Sequence, residues 1–159
     1  MIDERDFETE EFLLYRLPNV ARRVSKICEA DYAAEFGLKV GEWRLMSQIS
    51  RFNGITAKEV TERISMDAVS ISRAAYSCIS RGLIQEAPDA RDRRSKKLSL
   101  TPAGKAFMRR FRPYSCALAE RMEDGLTSSE NKTLKALLKK LESHLLTMKP
   151  AVAAEDSAA

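Results

Sequence analysis

Ala90-Arg91-Asp92-Arg93-Arg94-Ser95-Lys96-Lys97 stands between the apolar pair Leu83-Ile84 and the alternating run Leu98-Ser99-Leu100, and a helix start, Thr101-Pro102, follows at once. Leu98 and Leu100 fall on one face of a short strand while Ser99 and Thr101 fall on the other. The two apolar edges can therefore pair as a hairpin with the basic run at its tip. Five cations against one carboxylate give the run a local charge of +4. Such a charge repels itself unless it is solvated or matched by an anion, and a polyphosphate is the obvious match. Alone, the run reads equally well as a solvated loop. The segment before it decides.

Residues 56 to 82 read as two short helices closed by a glycine. Thr56-Ala-Lys-Glu59 is a capping box, in which hydroxyl and carboxylate each satisfy a free backbone N–H at a helix start. This helix turns Val60 and Ile64 inward and breaks near Ser65-Met66-Asp67. Asp67 can cap a second helix with Ile71, Ala74 or Ala75, Cys78 and Ile79 inward, and Gly82 stops it. Its opposite face shows Ser70, Ser72, Arg73, Tyr76 and Ser77, in place of the Glu and Lys of an ordinary solvent face. Low bulk and reaching donors are what a helix entering a major groove needs. Helix, turn, helix and basic hairpin together describe a winged helix-turn-helix.

Gly41-Glu-Trp43-Arg-Leu-Met46, Ile71-Ser-Arg73 with Arg81-Gly-Leu-Ile84, and above all Asp92-Arg-Arg94 followed by Leu98-Ser-Leu-Thr101-Pro-Ala-Gly104 resemble the MarR family of bacterial transcriptional regulators. The resemblance runs over roughly residues 12 to 148. It implies a homodimer on a pseudo-palindromic operator in double-stranded DNA, with one recognition helix in each of two major grooves and wings in the flanking minor grooves. It further implies that Arg94 is the wing arginine that enters the minor groove, oriented by Asp92. The residues expected at DNA are then Thr56, Lys58, Ser70, Ser72, Arg73, Tyr76, Ser77, Arg91, Asp92, Arg93, Arg94 and Lys96.

Composition agrees. A chain of 159 residues, 44% of them hydrophobic, suits one domain with its own core. The net charge of +4 is unevenly spread. Residues 1 to 11 hold six acids against Arg5, while residues 91 to 112 hold nine cations against Asp92. No apolar run approaches membrane-spanning length and the acidic start is unlike a secretory signal, so a cytoplasmic protein is expected. Cys28, Cys78 and Cys116 are odd in number, far apart and in helical segments, which suits reduced thiols. With no phosphate-binding glycine loop, no nucleophile beside a base, and His144 as the sole histidine, neither an enzyme, a metal site nor a cofactor is expected.

The predicted fold is mainly α with a small β-hairpin wing. Helices are expected at about 18 to 36, 41 to 53, 56 to 64, 67 to 81, 102 to 124 and 128 to 148, with strands near 83 to 87 and 97 to 101. Residues 1–36 and 102–150 are assigned to dimerisation helices, 37–101 to the winged domain and 151–159 to a disordered tail. Leu134, Leu138, Leu141, Leu145 and Met148, behind a second capping box at Thr127-Ser-Ser-Glu130, repeat as a heptad seam. Leu17, Val20, Val24 and Ile27, then Asp31 and Ala34, repeat similarly in the first helix. Two seams favour a dimer. Pro18 is expected in the first turn of its helix, where its missing N–H would be unpaired anyway. Pro113 is expected to bend the helix from 102, as a static kink or as a hinge.

The family resemblance also implies a small-molecule site between the dimer helices and the winged domain, commonly for aromatic acids or their conjugates. Mapped here, it would draw on Arg23, Ile27, Trp43, Met46, Phe107, Arg110, Phe111 and Tyr114, with a small aromatic acid or its acyl-CoA thioester as effector and repression as the mode. Plain core packing explains the same aromatic residues. Two other readings stand beside it. One is a cysteine-based redox sensor of the same fold, although the hydroperoxide-sensing branch carries its cysteine near the start of the first long helix, where Glu11 to Tyr15 offer no thiol. The other is a winged helix used only for protein contacts, which would call for an apolar recognition face.

Overall fold

The computed structural model describes residues 12–64, 66–89 and 95–148. The acidic N-terminus, the wing-tip residues Arg91, Asp92, Arg93 and Arg94, and the tail assigned to 151–159 lie outside them. The described elements are α1 (Leu13–Phe36), α2 (Val40–Phe52), β1 (Ile55–Thr56), α3 (Ala57–Arg63), α4 (Ala68–Ser80), β2 (Ile84–Pro88), β3 (Lys96–Leu100), α5 (Pro102–Glu123) and α6 (Ser128–Leu145). By packing, the chain forms two compact units, Met1–Arg112 and Pro113–Ala159.

The first unit closes on Leu45, Met46 and Ile49 of α2, Val60 of α3, Ile71 and Cys78 of α4, and Ile84 of β2, all out of solvent. Each spacing is that of one helical face. Burying a Leu or Ile side chain contributes about 1.5–3 kcal/mol, so these few residues supply most of the apolar core that α2, α3 and α4 share. Thr56 and Asp67 start their helices as read, accepting from the Glu59 N–H at 3.2 Å and the Ser70 N–H at 2.8 Å. Gly82, at φ 67°, ends α4, with its N–H on the Ile79 carbonyl at 2.8 Å and the Leu83 N–H on the Cys78 carbonyl at 2.9 Å.

β2 and β3 pair antiparallel with Ile84 opposite Leu100, Glu86 opposite Leu98 and Pro88 opposite Lys96. The hairpin read from the alternating leucines is therefore present, its two strands beginning and ending about one residue from the expected limits. A third strand was not foreseen. Ile55 and Thr56 pair with Leu98 and Lys97, so β3 is central in the order β1-β3-β2. Two residues show no period, and only the arrival of β3 makes them a strand.

Thr101 joins the hairpin to α5. Its hydroxyl donates to the Gly82 carbonyl at 2.6 Å and accepts from the Gly104 N–H at 3.0 Å, capping the helix while tying it to the end of α4. Gly104 follows from the same closeness, since a Cβ there would lie 2.0 Å from the Leu83 carbonyl oxygen. The Leu-x-Leu-Thr-x-x-Gly pattern is thus the geometry of one junction.

One expectation is corrected. α1 begins at Leu13, so Pro18 lies inside the helix and not in its first turn. The Phe12 carbonyl accepts from Tyr15 and Arg16 at 2.9 Å, starting the helix early, and Pro18 costs only the one bond that the Leu14 carbonyl would have received. Pro113 likewise lies within an unbroken α5.

In the second unit, Thr127 and Glu130 form the expected capping box. Glu123 accepts from Asn131 and, at 2.9 Å, from Lys135, which clips the end of α5 to α6. Leu134, Leu137, Leu138 and Leu145 are all exposed, and no residue of α6 is buried. No described helix is long and apolar enough to cross a membrane.

Candidate nucleic-acid interface

Four buried residues of α4, Ile71, Ala74, Ala75 and Cys78, determine which face turns outward. At about 100° per residue this is the face of Val69, Ser72, Arg73 and Tyr76. Val69 is 59% exposed and Tyr76 76% exposed. Ser70 and Ser77, expected on that face, are half-buried. The Ser70 hydroxyl donates to Asp67 at 2.7 Å and the Ser77 hydroxyl to Glu42 at 2.6 Å. Val69 is not among the residues expected on this face, although its spacing to Ser72 and Tyr76 places it there.

Glu42 ties the helix to the rest of the unit. Its carboxylate, buried at the start of α2, accepts from the Lys39 N–H at 2.9 Å and the Ser77 hydroxyl, and pairs with Arg81 at 3.4 Å. Arg81 also donates to the carbonyls of Gly37 and Phe36 at 3.0 and 3.1 Å. The end of α4 is thereby bonded to the end of α1 and the start of α2. Nearby, burial pushes the Cys78 thiol up to about 12, with the Glu42 charge adding to the effect and Arg81 opposing it.

A cleft of about 520 Å³ separates α4 from the wing. Thr56, Ala57 and Lys58 form its floor at the start of α3; Ser72, Ala75, Tyr76 and Ile79 form one wall, and Glu86, Ser95, Lys96 and Leu98 the other. Five of the residues expected at DNA, Thr56, Lys58, Ser72, Tyr76 and Lys96, line this one cleft. Arg73 and Ser70 lie on the other flank of α4, over a hollow of about 280 Å³ at the start of α2. Thr56 is buried and committed to its capping box, where its N–H and hydroxyl, at 2.7 and 2.9 Å, hold the Glu59 carboxyl below the usual range.

Both described lysines of the wing are paired across the hairpin, Lys96 with Glu86 at 2.6 Å and Lys97 with Asp89 at 3.4 Å. A charge count over residues 91 to 97 omits these two carboxylates, because they precede the run in sequence and reach it only through the β2–β3 register. Among the described residues, no group of three or more His, Cys, Asp and Glu could hold a metal.

Of the residues mapped to an effector site, Trp43, Phe107 and Phe111 join Tyr32 and Phe36 in one aromatic cluster. Tyr32 meets Trp43 edge-on at 5.4 Å between centroids and Phe111 at 4.9 Å, while Phe36 meets Phe107 at 5.6 Å. Tyr32 and Phe36 were not foreseen, although Cys28, Tyr32 and Phe36 are spaced by four. Val20, Val24 and Ile27 are exposed on α1, and this second stripe, with Cys28 and Tyr32 buried, is the one that packs in this unit. Met46 and Phe111 are buried, Trp43 and Phe107 half-buried, and Arg23, Ile27 and Arg110 exposed; Tyr114 belongs to the second unit. The Trp43 indole Nε1 is buried without a hydrogen-bond partner, alone in this among the described side-chain polar atoms.

Residues 36–95, which run from the end of α1 through the helix-turn-helix into the wing, match the model of the MarR family. Over these residues the winged module is similar to the MarR family. The matches support a coarse function of DNA-binding transcription regulation. The uncharacterized HTH-type transcriptional regulator YybA of Bacillus subtilis is 27% identical over 136 residues, 84% of this chain and 88% of its own. Among solved structures, a mutant E. coli MarR complexed with operator DNA has a TM-score of 0.73 at 23% identity, over 86% of this chain and 98% of that one. Bordetella bronchiseptica BpsR, whose structure bears on regulation of DNA binding by 6-hydroxynicotinic acid, has a TM-score of 0.77 at 18% identity, over 86% and 96% of the two chains.

Proposed function

We propose that this protein is a repressor that binds a pseudo-palindromic operator as a homodimer and is released by a small aromatic acid or its acyl-CoA thioester. The observation that carries the DNA part is the outward face of α4. Ser72, Arg73 and Tyr76 stand exposed on a helix locked by Glu42 and Arg81, beside a cleft whose floor and far wall bring Lys58 and Lys96. Arg73 reads a base edge, Tyr76 and Val69 offer apolar contact, and the lysines take phosphates. Arg94 in the wing tip adds the minor-groove contact that the family resemblance implies. The exposed leucine stripe of α6 favours assembly, since an apolar stripe of this kind is normally covered by a partner.

The aromatic cluster and its unpartnered indole N–H favour a planar ligand with an acceptor; Arg44 lies over the Trp43 ring at 5.7 Å, and the exposed Arg23 and Arg110 are further cations for a carboxylate. BpsR lends the class of ligand an example. The redox alternative is opposed by Cys28, which is buried; desolvation raises its thiol above the ordinary value despite a Tyr32 hydrogen bond and the Arg44 charge.

The test is anisotropy titration of operator and random duplexes, the operator being selected by the protein from a random pool. Arg73→Ala should narrow the gap between the two, by about 1–3 kcal/mol of lost selectivity. Arg94→Ala should weaken both and lower the salt slope by about one charge. Leu138→Lys with Leu141→Lys should yield monomers that no longer hold the operator. Hydroxybenzoates, hydroxycinnamates and their CoA thioesters should include a compound that releases DNA, less effectively from Arg23→Ala, Arg110→Ala. A wild-type protein that selects no duplex removes the reading.

A further inference from the structure

Resting on the assignment of the α4–wing cleft to DNA, we propose that Glu86 is a brake built into that cleft, which holds Lys96 away from phosphate and so limits the protein's affinity for DNA of any sequence.

The placement follows from the hairpin register. Glu86 sits opposite Leu98 and Pro88 opposite Lys96, so Glu86 and Lys96 share the strand face that carries Ile84, Leu98 and Leu100. That face is core where the leucines lie, and toward the tip it opens as the wall of the cleft. Charges meant only for solubility belong on the other face, with Gln85 and Ser99. Among the described residues lining the cleft, Glu86 is the one carboxylate, set against Lys58 and Lys96. Its Oε2 lies 2.6 Å from the Lys96 Nζ.

A phosphate entering the cleft therefore competes with a carboxylate for Lys96, the wing cation that lines it among the described residues. Lys96 either stays on Glu86 and contributes little, or moves to the phosphate and leaves Glu86 unpaired beside the DNA backbone. The fold has no comparable stake in the pair. Lys96 is two-thirds exposed, and exposed ion pairs add little to stability. A neutral side chain at position 86 frees Lys96 to displace a counterion from DNA. One further phosphate contact steepens the salt dependence by about 0.9 and tightens binding up to about eightfold at roughly 0.1 M salt. Because phosphate contacts carry no sequence information, operator and random DNA gain alike.

The experiment uses the full chain as wild type, E86Q, K96M and the double variant, titrated into operator and random duplexes from about 50 to 300 mM salt. Expected are an E86Q protein with an unchanged thermal midpoint, about three- to eightfold tighter on both duplexes at low salt and steeper by about 0.9 in its salt slope, and a double variant no tighter than K96M. An E86Q protein that binds DNA as the wild type does, with the same slope, overturns the brake while leaving the cleft as the DNA site. A gain that survives intact in the K96M background overturns the role of Lys96. Failure of the wild type to bind any duplex overturns both the cleft assignment and the brake.

Discussion

Replacing Glu42 with alanine tests how the recognition helix is held. The carboxylate side chain is 5% exposed and serves three donors, the Lys39 N–H, the Ser77 hydroxyl and the Arg81 guanidinium. Removing one member of a buried ion pair costs about 3–5 kcal/mol, mainly because the other charge stays behind without its partner. Arg81 is 35% exposed and keeps the Phe36 and Gly37 carbonyls, so its share falls toward the low end. The Ser77 hydroxyl, left inside with no acceptor, adds a cost of its own. A total near 3 kcal/mol is expected, or roughly 6–12 °C in thermal midpoint for a chain of this length. Glu42→Gln keeps the volume and one good acceptor and loses the charge, which should cost about 1–2 kcal/mol. Urea unfolding at one fixed protein concentration measures the difference, since assembly shifts apparent stability. Below the transition the alanine variant should still bind DNA more weakly, because α4 has lost the bonds that set its angle. An alanine variant within about 0.5 kcal/mol of wild type, or one that binds DNA as well while folded, would refute the reasoning.

Gly104→Ala should cost about 3 kcal/mol or more, against the roughly 1 kcal/mol that alanine normally gains over glycine in a helix, because its Cβ would sit 2.0 Å from a backbone oxygen; a variant as stable as wild type in urea would show that the junction yields. Thiol labelling of the native protein should be fast at exposed Cys116 alone, with buried Cys28 and Cys78 reacting only as the chain unfolds; rapid alkylation that persists in Cys116→Ser would contradict this. The carboxyls of Glu59, Asp67, Glu123 and Glu130 all lie below their ordinary values, held there by hydrogen bonds, which for Glu123 come first from Lys135. Folded carboxyls with lowered values bind fewer protons than the unfolded chain, so their contribution is complete above about pH 4.5 and is lost as pH falls through the folded values. Urea midpoints should therefore decline below that pH, and removal of the Thr127–Glu130 box by Glu130→Gln should shrink the decline.

The helices, their caps and the hairpin were legible from residues alone because each depends on neighbours a few positions away. Thr56 with Glu59, Asp67 with Ser70, and Thr127 with Glu130 meet within one helical turn, and Leu98 and Leu100 state their strand face by alternation. The inward face of α4 was legible for the same reason, as were the exposed Ser72, Arg73 and Tyr76. Pro18 misled, because a proline tolerated inside a helix and one that starts a helix look alike until the preceding residues are seen to be helical.

What only the tertiary structure decided involves partners far apart in the chain. Ser77 could be placed on the DNA face until Glu42, thirty-five residues away, was found to hold its hydroxyl. Ile55 and Thr56 became a strand only beside β3. Lys96 and Lys97 counted as unmatched charge until the β2–β3 register brought Glu86 and Asp89 against them. Helix periodicity and capping act over a turn of backbone, so composition and spacing encode them directly. A buried carboxylate's choice of donors and the pairing of charges across a hairpin depend on the relative placement of whole elements, which no local spacing records.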